Sequence, residues 1–265
     1  VETFWLHGKP RQMLRPALAG LSRYIATVET ARHRIFQFVS NDVLPDNKIV
    51  VLCFEDAFRL GVLCAEIHQQ WTFARCGLIG MANFDAGHVY VKSSCFDPFP
   101  FPDATPDQRA AIAELAEELD ATRKLALAEV PRLTMTEIYN LVAWLKSVNP
   151  SPLGEGLGWG LSSGSKITPV RQTPPPAPPL KERGELTDRA TQDRATAARA
   201  GIIARLHEQI DAAVANAYGW PADLPPAEIV ARLVALNAAR AAEEKSGQIR
   251  WLRPEYQIPR FGTKT

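Results

Sequence analysis

The segment Cys95–Pro102, with prolines at positions 98, 100 and 102, most constrains how this chain can fold. Prolines at every second position cannot continue a helix, and they cannot donate hydrogen bonds to the ladder of a central sheet. Each proline also disfavours the helical conformation for the residue before it. The segment therefore predicts a stiff, extended strap, and we expect it to join two domains.

The chain before the strap predicts a small mixed α/β domain over residues 1–102. Apolar residues at helical spacing predict a helix over Asp56–Arg75. Gly77–Gly87 is expected to form a loop, and the alternation in Val89–Lys92 predicts a last strand. Three runs rich in β-branched and aromatic residues predict the other strands: Arg23–Glu29, His33–Val39 and Asn47–Phe54.

The chain after the strap predicts a bundle of four amphipathic helices, which makes the whole chain α+β. The first helix begins at a capping box, with Thr105 as the cap, and a second capping box begins at Thr134. The third helix ends at Tyr218, and the fourth runs from about Pro226 to a point before Gly247. We expect the helical domain in two halves with a short tail after them: 103–147, 186–258 and 259–265.

The two halves are separated by a proline- and glycine-rich insert at residues 148–185. Its 38 residues include eight prolines and six glycines. Such a composition cannot bury enough apolar surface to order itself, so we expect a disordered spacer. The alternative is a polyproline-II ligand for a partner domain, and the spacer is the favoured interpretation.

Composition is that of an ordinary soluble globular protein, with a net charge of +1 and 46% hydrophobic residues. No apolar run approaches the length that a bilayer requires, so no membrane association is expected. The four cysteines form no C-x-x-C pair, which favours reduced packing residues and a cytoplasmic location. The chain begins at Val1 without a secretory signal, and we expect a fragment or a processed chain.

The sequence shows no recognisable active site. The glycines between Gly154 and Gly160 have Trp159 where a dinucleotide-binding motif needs its third glycine, and no strand precedes them. Asn149-Pro150 and Asp97-Pro98 lack the second consecutive proline of an amino-methyltransferase loop. No two histidines have the spacing of a metal pair on a helix. We therefore expect no catalytic, cofactor-binding or metal-binding residues.

Basic residues instead indicate binding to a polyanion. Residues 1–40 contain six Lys or Arg against two acidic residues. Arg32 and Arg34 are predicted on one face of a strand, with His33 on the other. Paired arginines of this kind can contact phosphates or guanine edges, and a solvated strand face is an equal alternative. The DNA-binding candidates are Lys9, Arg11, Arg23, Arg32, His33, Arg34, Arg75 and Lys92.

Ten separate segments, in this order along the chain, carry a resemblance to a known family: Leu21–Thr27, Arg32–Phe36, Val43–Lys48, Leu60–Leu63, Ile67-His68, Trp71, Cys95–Pro102, Leu133–Asn140, Ala217–Pro221 and Leu233–Asn237. Together they resemble the C-terminal part of MmeI-like DNA methyltransferases, the single-chain restriction-modification enzymes. No single motif is specific, and the resemblance rests on their number and order across nearly the whole chain outside the insert.

The resemblance implies that residues 1–102 are a target-recognition domain that binds double-stranded DNA. In this family an upstream domain binds S-adenosylmethionine and methylates the N6 atom of a flipped adenine through an Asn-Pro-Pro-Tyr loop. This chain contains none of that, so it is expected to lack cofactor and activity alone, and to need a catalytic domain in the same or a separate chain. It also departs from the family at Cys64–Glu66, where relatives tend to carry an arginine, and at the insert.

Two alternatives remain open at this point. The chain could be a non-enzymatic interaction module whose helices and insert bind a protein partner. It could also be a decayed remnant that folds poorly, in which case it would show no cooperative unfolding transition.

Overall fold

A computed structural model describes residues 13–79, 87–130, 132–148 and 180–262 and confirms the α+β class. Helices make up most of these ranges, and the strands are short. The elements are α1 (Leu14–Leu18), β1 (Arg23–Val28), β2 (Thr30–Ala31), β3 (Gln37–Ser40), β4 (Ile49–Leu52), α2 (Ala57–Cys64), α3 (Glu66–Arg75), β5 (Gly77–Ile79), β6 (Gly87–Val89), α4 (Pro106–Glu129), α5 (Met135–Val148), α6 (Leu180–Tyr218), α7 (Pro226–Lys245) and α8 (Pro254–Phe261).

Two three-stranded antiparallel sheets are formed, with the orders β3-β1-β4 (sheet A) and β2-β6-β5 (sheet B). In sheet A, β1 directs Ile25 into the main core and Tyr24 and Ala26 to the opposite, outer face. Because β3 and β4 flank β1, the segment 41–48 must cross that outer face. The Tyr24 hydroxyl holds the segment by donating to the carbonyl of Val43 at 2.9 Å.

One continuous hydrophobic core contains side chains from both sides of residue 102. It includes Phe36 and Leu60 from the predicted recognition domain and Leu119 and Leu206 from the predicted helical domain. The division at residue 102 stays a prediction, but the two parts share a packed interior.

Helices α2 and α4 approach closely at Gly61. A Cβ atom placed on Gly61 would lie 2.5 Å from Ile112 Cγ2 and 3.3 Å from Ala116 Cβ. Non-bonded carbon atoms do not approach one another as closely as 2.5 Å, so only glycine fits this helix crossing without a shift of its neighbours. Gly61 thus determines how tightly the strand-bearing part packs on the bundle.

The proline strap is only partly extended, and its second half is buried within the protein. The prediction of an extended segment was wrong for its first part, because Cys95 and Phe96 lie in a π-helical turn and exposed Asp97 has helical backbone angles, φ −56° and ψ −41°. Phe99, Pro100, Phe101 and Pro102 are buried, and the Phe99 ring packs edge-on against His68 at 4.6 Å. Prolines have no N–H, so only their carbonyl groups need partners.

Two side chains from the helical bundle provide partners for the strap carbonyls. Tyr218 Oη donates to the carbonyl of Pro100 at 2.8 Å, and Asn237 Nδ2 donates to that of Pro98 at 2.5 Å. The strap is therefore bonded to α6 and α7.

Several predicted boundaries differ from the structure. The helix predicted over Asp56–Arg75 is broken at Ala65, whose ψ of 153° is extended. The predicted strand His33–Val39 begins only at Gln37, because the chain turns at Arg32 and His33 to bury the next side chain. The predicted strand Val89–Lys92 ends at Val89, and a π-helical turn follows at Lys92–Phe96.

Three further element ends differ from the predicted ones. Both ends of the predicted loop Gly77–Gly87 belong to strands, since β5 and β6 pair there. Helix α6 begins at Leu180, within the predicted insert, and residues 149–179 lie outside the described residues. Helix α8 was not predicted and extends to Phe261, into the predicted tail. No described helix is both long enough and apolar enough to cross a membrane.

A buried arginine joins the strand-bearing part to three helices. Arg123 of α4 is 2% exposed, and its Nη1 donates to the carbonyl of Phe36 at 2.8 Å. Its Nη2 donates to the hydroxyl of Tyr139 on α5, and that hydroxyl lies 2.7 Å from His207 Nε2 on α6. Cys64 of α2 places its Sγ 3.8 Å from Nη1.

Protonation states determine the direction of these hydrogen bonds. Burial raises the pKa of Tyr139 to about 12, so the phenol keeps its proton. Burial also lowers the pKa of His207 well below its ordinary value, so the ring is neutral at pH 7. Arg123 therefore donates to the Tyr139 oxygen, and Tyr139 donates to His207 Nε2.

A second buried histidine lies between the strap and sheet B. His68 is fully buried, with Nδ1 3.0 Å from the carbonyl of Leu63 and Nε2 3.2 Å from Tyr90 Oη. Burial lowers the pKa of His68 to about 3. The neutral ring donates through Nδ1 and accepts from the Tyr90 hydroxyl through Nε2.

We predict opposite effects for two glycine-to-alanine substitutions in helices. Gly61→Ala should lower the free energy of unfolding by about 1–3 kcal/mol, because its new methyl group overlaps Ile112. Gly201→Ala in α6 meets no atom within 4 Å and should raise stability by about 0.5–1 kcal/mol through helix propensity. Denaturant unfolding of both variants measures the two changes in the free energy of unfolding. Equal effects of the two substitutions would contradict the close α2–α4 contact.

We predict that acidification from pH 7 to pH 5 destabilises the protein through its buried histidines. A group whose pKa is lower in the folded state binds fewer protons there, so stability is lost as pH falls below about 6.5. Protonation of His68 on unfolding should lower the free energy of unfolding by about 2 kcal/mol at pH 5, since each pH unit below about 6.5 contributes about 1.4 kcal/mol.

His207 should add to this acid loss, since its pKa is also lowered. His68→Gln should remove the His68 contribution from the pH dependence measured by guanidinium unfolding. A pH-independent stability over this interval would rule the assignment out.

Candidate nucleic-acid interface

Arg34 is buried, at 3% exposure, and supports backbone carbonyls instead of facing solvent. Its Nη2 donates to the carbonyls of His88 at 2.5 Å and Glu29 at 3.4 Å, and its Nη1 donates to the carbonyl of Val28. The guanidinium thereby joins the β1–β2 connection to β6. The prediction that Arg34 shares an exposed strand face with Arg32 was wrong, because these inward-facing carbonyls need a donor.

His33 is also buried, at 6% exposure, on the side facing α5. Its Nε2 lies 2.8 Å from Asn140 Oδ1, so the ring donates to the amide oxygen. Burial lowers the pKa of His33, which favours the neutral ring. This contact joins the segment after β2 to the helical bundle.

Arg23 is engaged by protein groups. Its guanidinium stacks over the Phe38 ring at 3.6 Å, and its Nη1 donates to Glu117 Oε2 of α4 at 2.9 Å. Its Nε donates to the carbonyl of Glu55 at 3.1 Å. Arg23 therefore joins β1 to α4 with most of its donors occupied.

Three candidates keep their charges in solvent: Arg32, Arg75 and Lys92 are exposed. Arg32 forms no hydrogen bond or ion pair with residues in the described ranges. Arg75 ends α3, where its guanidinium lies 5.0 Å from the centroid of the Trp71 ring. Lys9 and Arg11 lie outside the described residues, so their placement is untested.

The structure brings only two of these exposed cations to one place. Gly77 pairs with Val89, so Arg75, just before β5, and Lys92, just after β6, lie at the same end of sheet B. Arg32 follows Ala31, which pairs with His88, so it lies at the opposite end. The phosphate-contacting candidates thus flank sheet B.

A cleft on the outer face of sheet A lies beside Arg32 and was not predicted from the sequence. Its volume is about 640 Å³, and its lining includes Val28, Val43 and Leu44, which are 42%, 51% and 56% exposed. The sequence feature that could have indicated this cleft is β1 itself, because apolar residues occur on both alternating faces of Arg23–Val28. The other lining residues are Tyr24, Ala26, Thr27, Thr30, Ala31, Arg32, His33, Ile35, Gln37, Val39, Pro45, Asp46, Ile49, Met135 and Thr136.

The described residues contain no group of three or more side chains that could hold a metal ion. What the arrangement offers chemically is a set of exposed cations around a small sheet, together with an apolar cleft. These features suit binding.

We predict that the two neighbouring arginines differ sharply in their contribution to stability. Arg34→Met should lower the free energy of unfolding by about 3 kcal/mol, because buried carbonyls lose their donor. Arg32→Met should change it by less than about 0.5 kcal/mol, since Arg32 is exposed. Denaturant unfolding compares the two variants. An Arg34→Met variant with unchanged stability would contradict the structural role of Arg34.

Comparisons with known proteins give one structural similarity. No family model matches the chain, and no curated protein matches it. A chain of the type IIL restriction-modification enzyme MmeI, solved in complex with DNA, is similar with a TM-score of 0.49 and 15% sequence identity. The match covers 84% of this chain and 22% of that one, so the chain spans less than a quarter of the enzyme's length.

Proposed function

We propose that this chain is the DNA-recognition portion of an S-adenosylmethionine-dependent adenine-N6 methyltransferase of the single-chain restriction-modification type. The observation that carries the proposal is that separated sequence segments resembling this family contact one another. Tyr218 and Asn237 donate to the strap, and His33 contacts Asn140. Motifs joined in this way support the architecture that the resemblance implies.

In this proposal the chain binds duplex DNA, and catalysis belongs to a part outside it. Exposed cations hold the phosphate backbone and set the register, while base contacts select the sequence. The cofactor and the pocket for a flipped adenine belong to the catalytic domain, which is supplied by the same or a separate chain. The chain alone should therefore transfer no methyl group from S-adenosylmethionine to DNA.

A second candidate function is a protein-interaction module, which the apolar cleft favours. Val28, Val43 and Leu44 form a partly exposed apolar surface at its lining. In that case duplex DNA would not bind, and a protein would.

We predict salt-dependent binding of duplex DNA that depends on the exposed cations. Each phosphate contact contributes about 0.9 to the slope of log affinity against log salt concentration. Replacing Arg32, Arg75 or Lys92 singly by alanine should lower that slope by about one and weaken binding to all sequences similarly. Fluorescence anisotropy over a salt series measures both quantities.

Arg205→Ala is the matched control, because Arg205 is also exposed but lies on α6. It should leave the slope unchanged. Absence of duplex binding at low salt would refute DNA recognition and favour the interaction module. Methyl transfer by this chain alone would refute the assignment of catalysis to a separate part.

A further inference from the structure

A thiol and an imidazole meet beside sheet B, where no function has yet been assigned to them. Cys76 follows α3, and His88 lies in β6, so the β5–β6 pairing brings them together. Cys76 Sγ lies 3.2 Å from His88 Nδ1, and both side chains are partly exposed. This distance is within reach of direct proton transfer.

The surroundings hold the imidazole in place. Arg34 donates to the backbone carbonyl of His88 at 2.5 Å, which anchors the strand at that residue. The ring of Phe73 packs at 4.7 Å from the His88 ring. A base held by packing and backbone contacts keeps its orientation toward the sulfur.

The two groups are both neutral at pH 7. Burial raises the pKa of the Cys76 thiol, and burial lowers the pKa of the His88 ring. In the tautomer with the ring proton on Nε2, the thiol donates to Nδ1, and the ring can take that proton when the sulfur reacts. A neutral base beside a neutral nucleophile is the arrangement that activates serine and cysteine nucleophiles.

We propose that Cys76 and His88 form a base-assisted reactive thiol that is modified by low-molecular-weight disulfides such as oxidised glutathione. The proton on Sγ passes to His88 Nδ1 while the sulfur attacks one sulfur of the disulfide. The disulfide bond breaks, a mixed disulfide forms at Cys76, and the leaving thiolate takes up the proton from His88. The reaction exchanges one disulfide for another and needs no further oxidant.

The chain contains its own reference thiols. Cys53 is also partly exposed, burial raises the pKa of its thiol, and no histidine contacts it within the described ranges. Cys64 and Cys95 are buried, at 3% and 0% exposure. Cys76 should therefore react fastest, Cys53 slowly, and the buried pair only on unfolding.

The test follows each cysteine during reaction with dithiodipyridine, an uncharged aromatic disulfide, with the modified peptides identified by mass spectrometry. At pH 7 Cys76 should react about tenfold or more faster than Cys53. An unassisted thiol below its pKa loses about tenfold in rate per pH unit. Cys76 should lose less than this between pH 8 and pH 6, because His88 remains neutral over most of that range.

His88→Asn separates the base from the hydrogen bond, since the Asn amide oxygen can accept from Sγ but cannot take its proton. This variant should slow Cys76 to about the rate of Cys53 and restore the steep pH dependence, with Cys53 unchanged. Equal rates for Cys76 and Cys53 in the native chain, or an unaltered Cys76 rate in folded His88→Asn, would overturn the proposal. The native-chain comparison stands even if the variant fails to fold.

A consequence for binding rests on the proposed function. Cys76 is adjacent to Arg75 and lies at the end of sheet B that carries Lys92. A glutathione adduct adds bulk and a net negative charge there, so it should weaken duplex binding about five- to tenfold at 0.1 M salt.

A methylthio adduct at Cys76 is the uncharged control and should weaken binding less. Unchanged binding by the glutathionylated chain would remove the regulatory consequence while leaving the thiol chemistry intact. Failure of the unmodified chain to bind DNA would instead count against the proposed function.

Discussion

The buried guanidinium of Arg123 is the interaction on which the rest of the structure depends. It donates to the carbonyl of Phe36 in the strand-bearing part and to the hydroxyl of Tyr139 in the bundle. Its acceptors among the described residues are neutral, so the charge is stabilised only when strand, loop and helices are placed together. Gly61 permits the close approach of α2 to α4, the helix that carries Arg123. The two predicted domains therefore position each other.

Elements with local chemical signals were predictable. The cap at Thr105 is confirmed, with Gln108 N–H donating to its hydroxyl at 3.3 Å, and the one at Thr134 is confirmed by Glu137 in the same way. The break at Ala65 was not predictable, since neither proline nor glycine marks it. The partners of the strap carbonyls also escaped prediction, because Tyr218 and Asn237 lie 118 and 139 residues away along the chain.

The candidate site shows the same limit. Arg32 and Arg34 have equivalent positions in the sequence pattern, yet one is exposed and the other satisfies buried carbonyls. Only the tertiary fold decides which arginine has protein acceptors. The sequence therefore predicts a set of basic candidates but not which of them are buried and which are exposed. Arg34, His33 and Arg23 make contacts within the fold, whereas Arg32, Arg75 and Lys92 are exposed and remain the candidates for binding a polyanion. The proposed Cys76–His88 pair lies at the end of sheet B that carries Arg75, beside the proposed binding surface.

Arginine footprinting with phenylglyoxal, in the presence and absence of duplex DNA, shows whether the exposed arginines form a DNA-binding surface. Mass spectrometry of the modified chain reports each arginine separately. We expect duplex DNA to protect Arg32 and Arg75, Arg205 to stay reactive, and buried Arg34 and Arg123 to react slowly in both conditions. Protection of none of the exposed arginines, or equal protection of Arg205, would refute DNA binding by this surface.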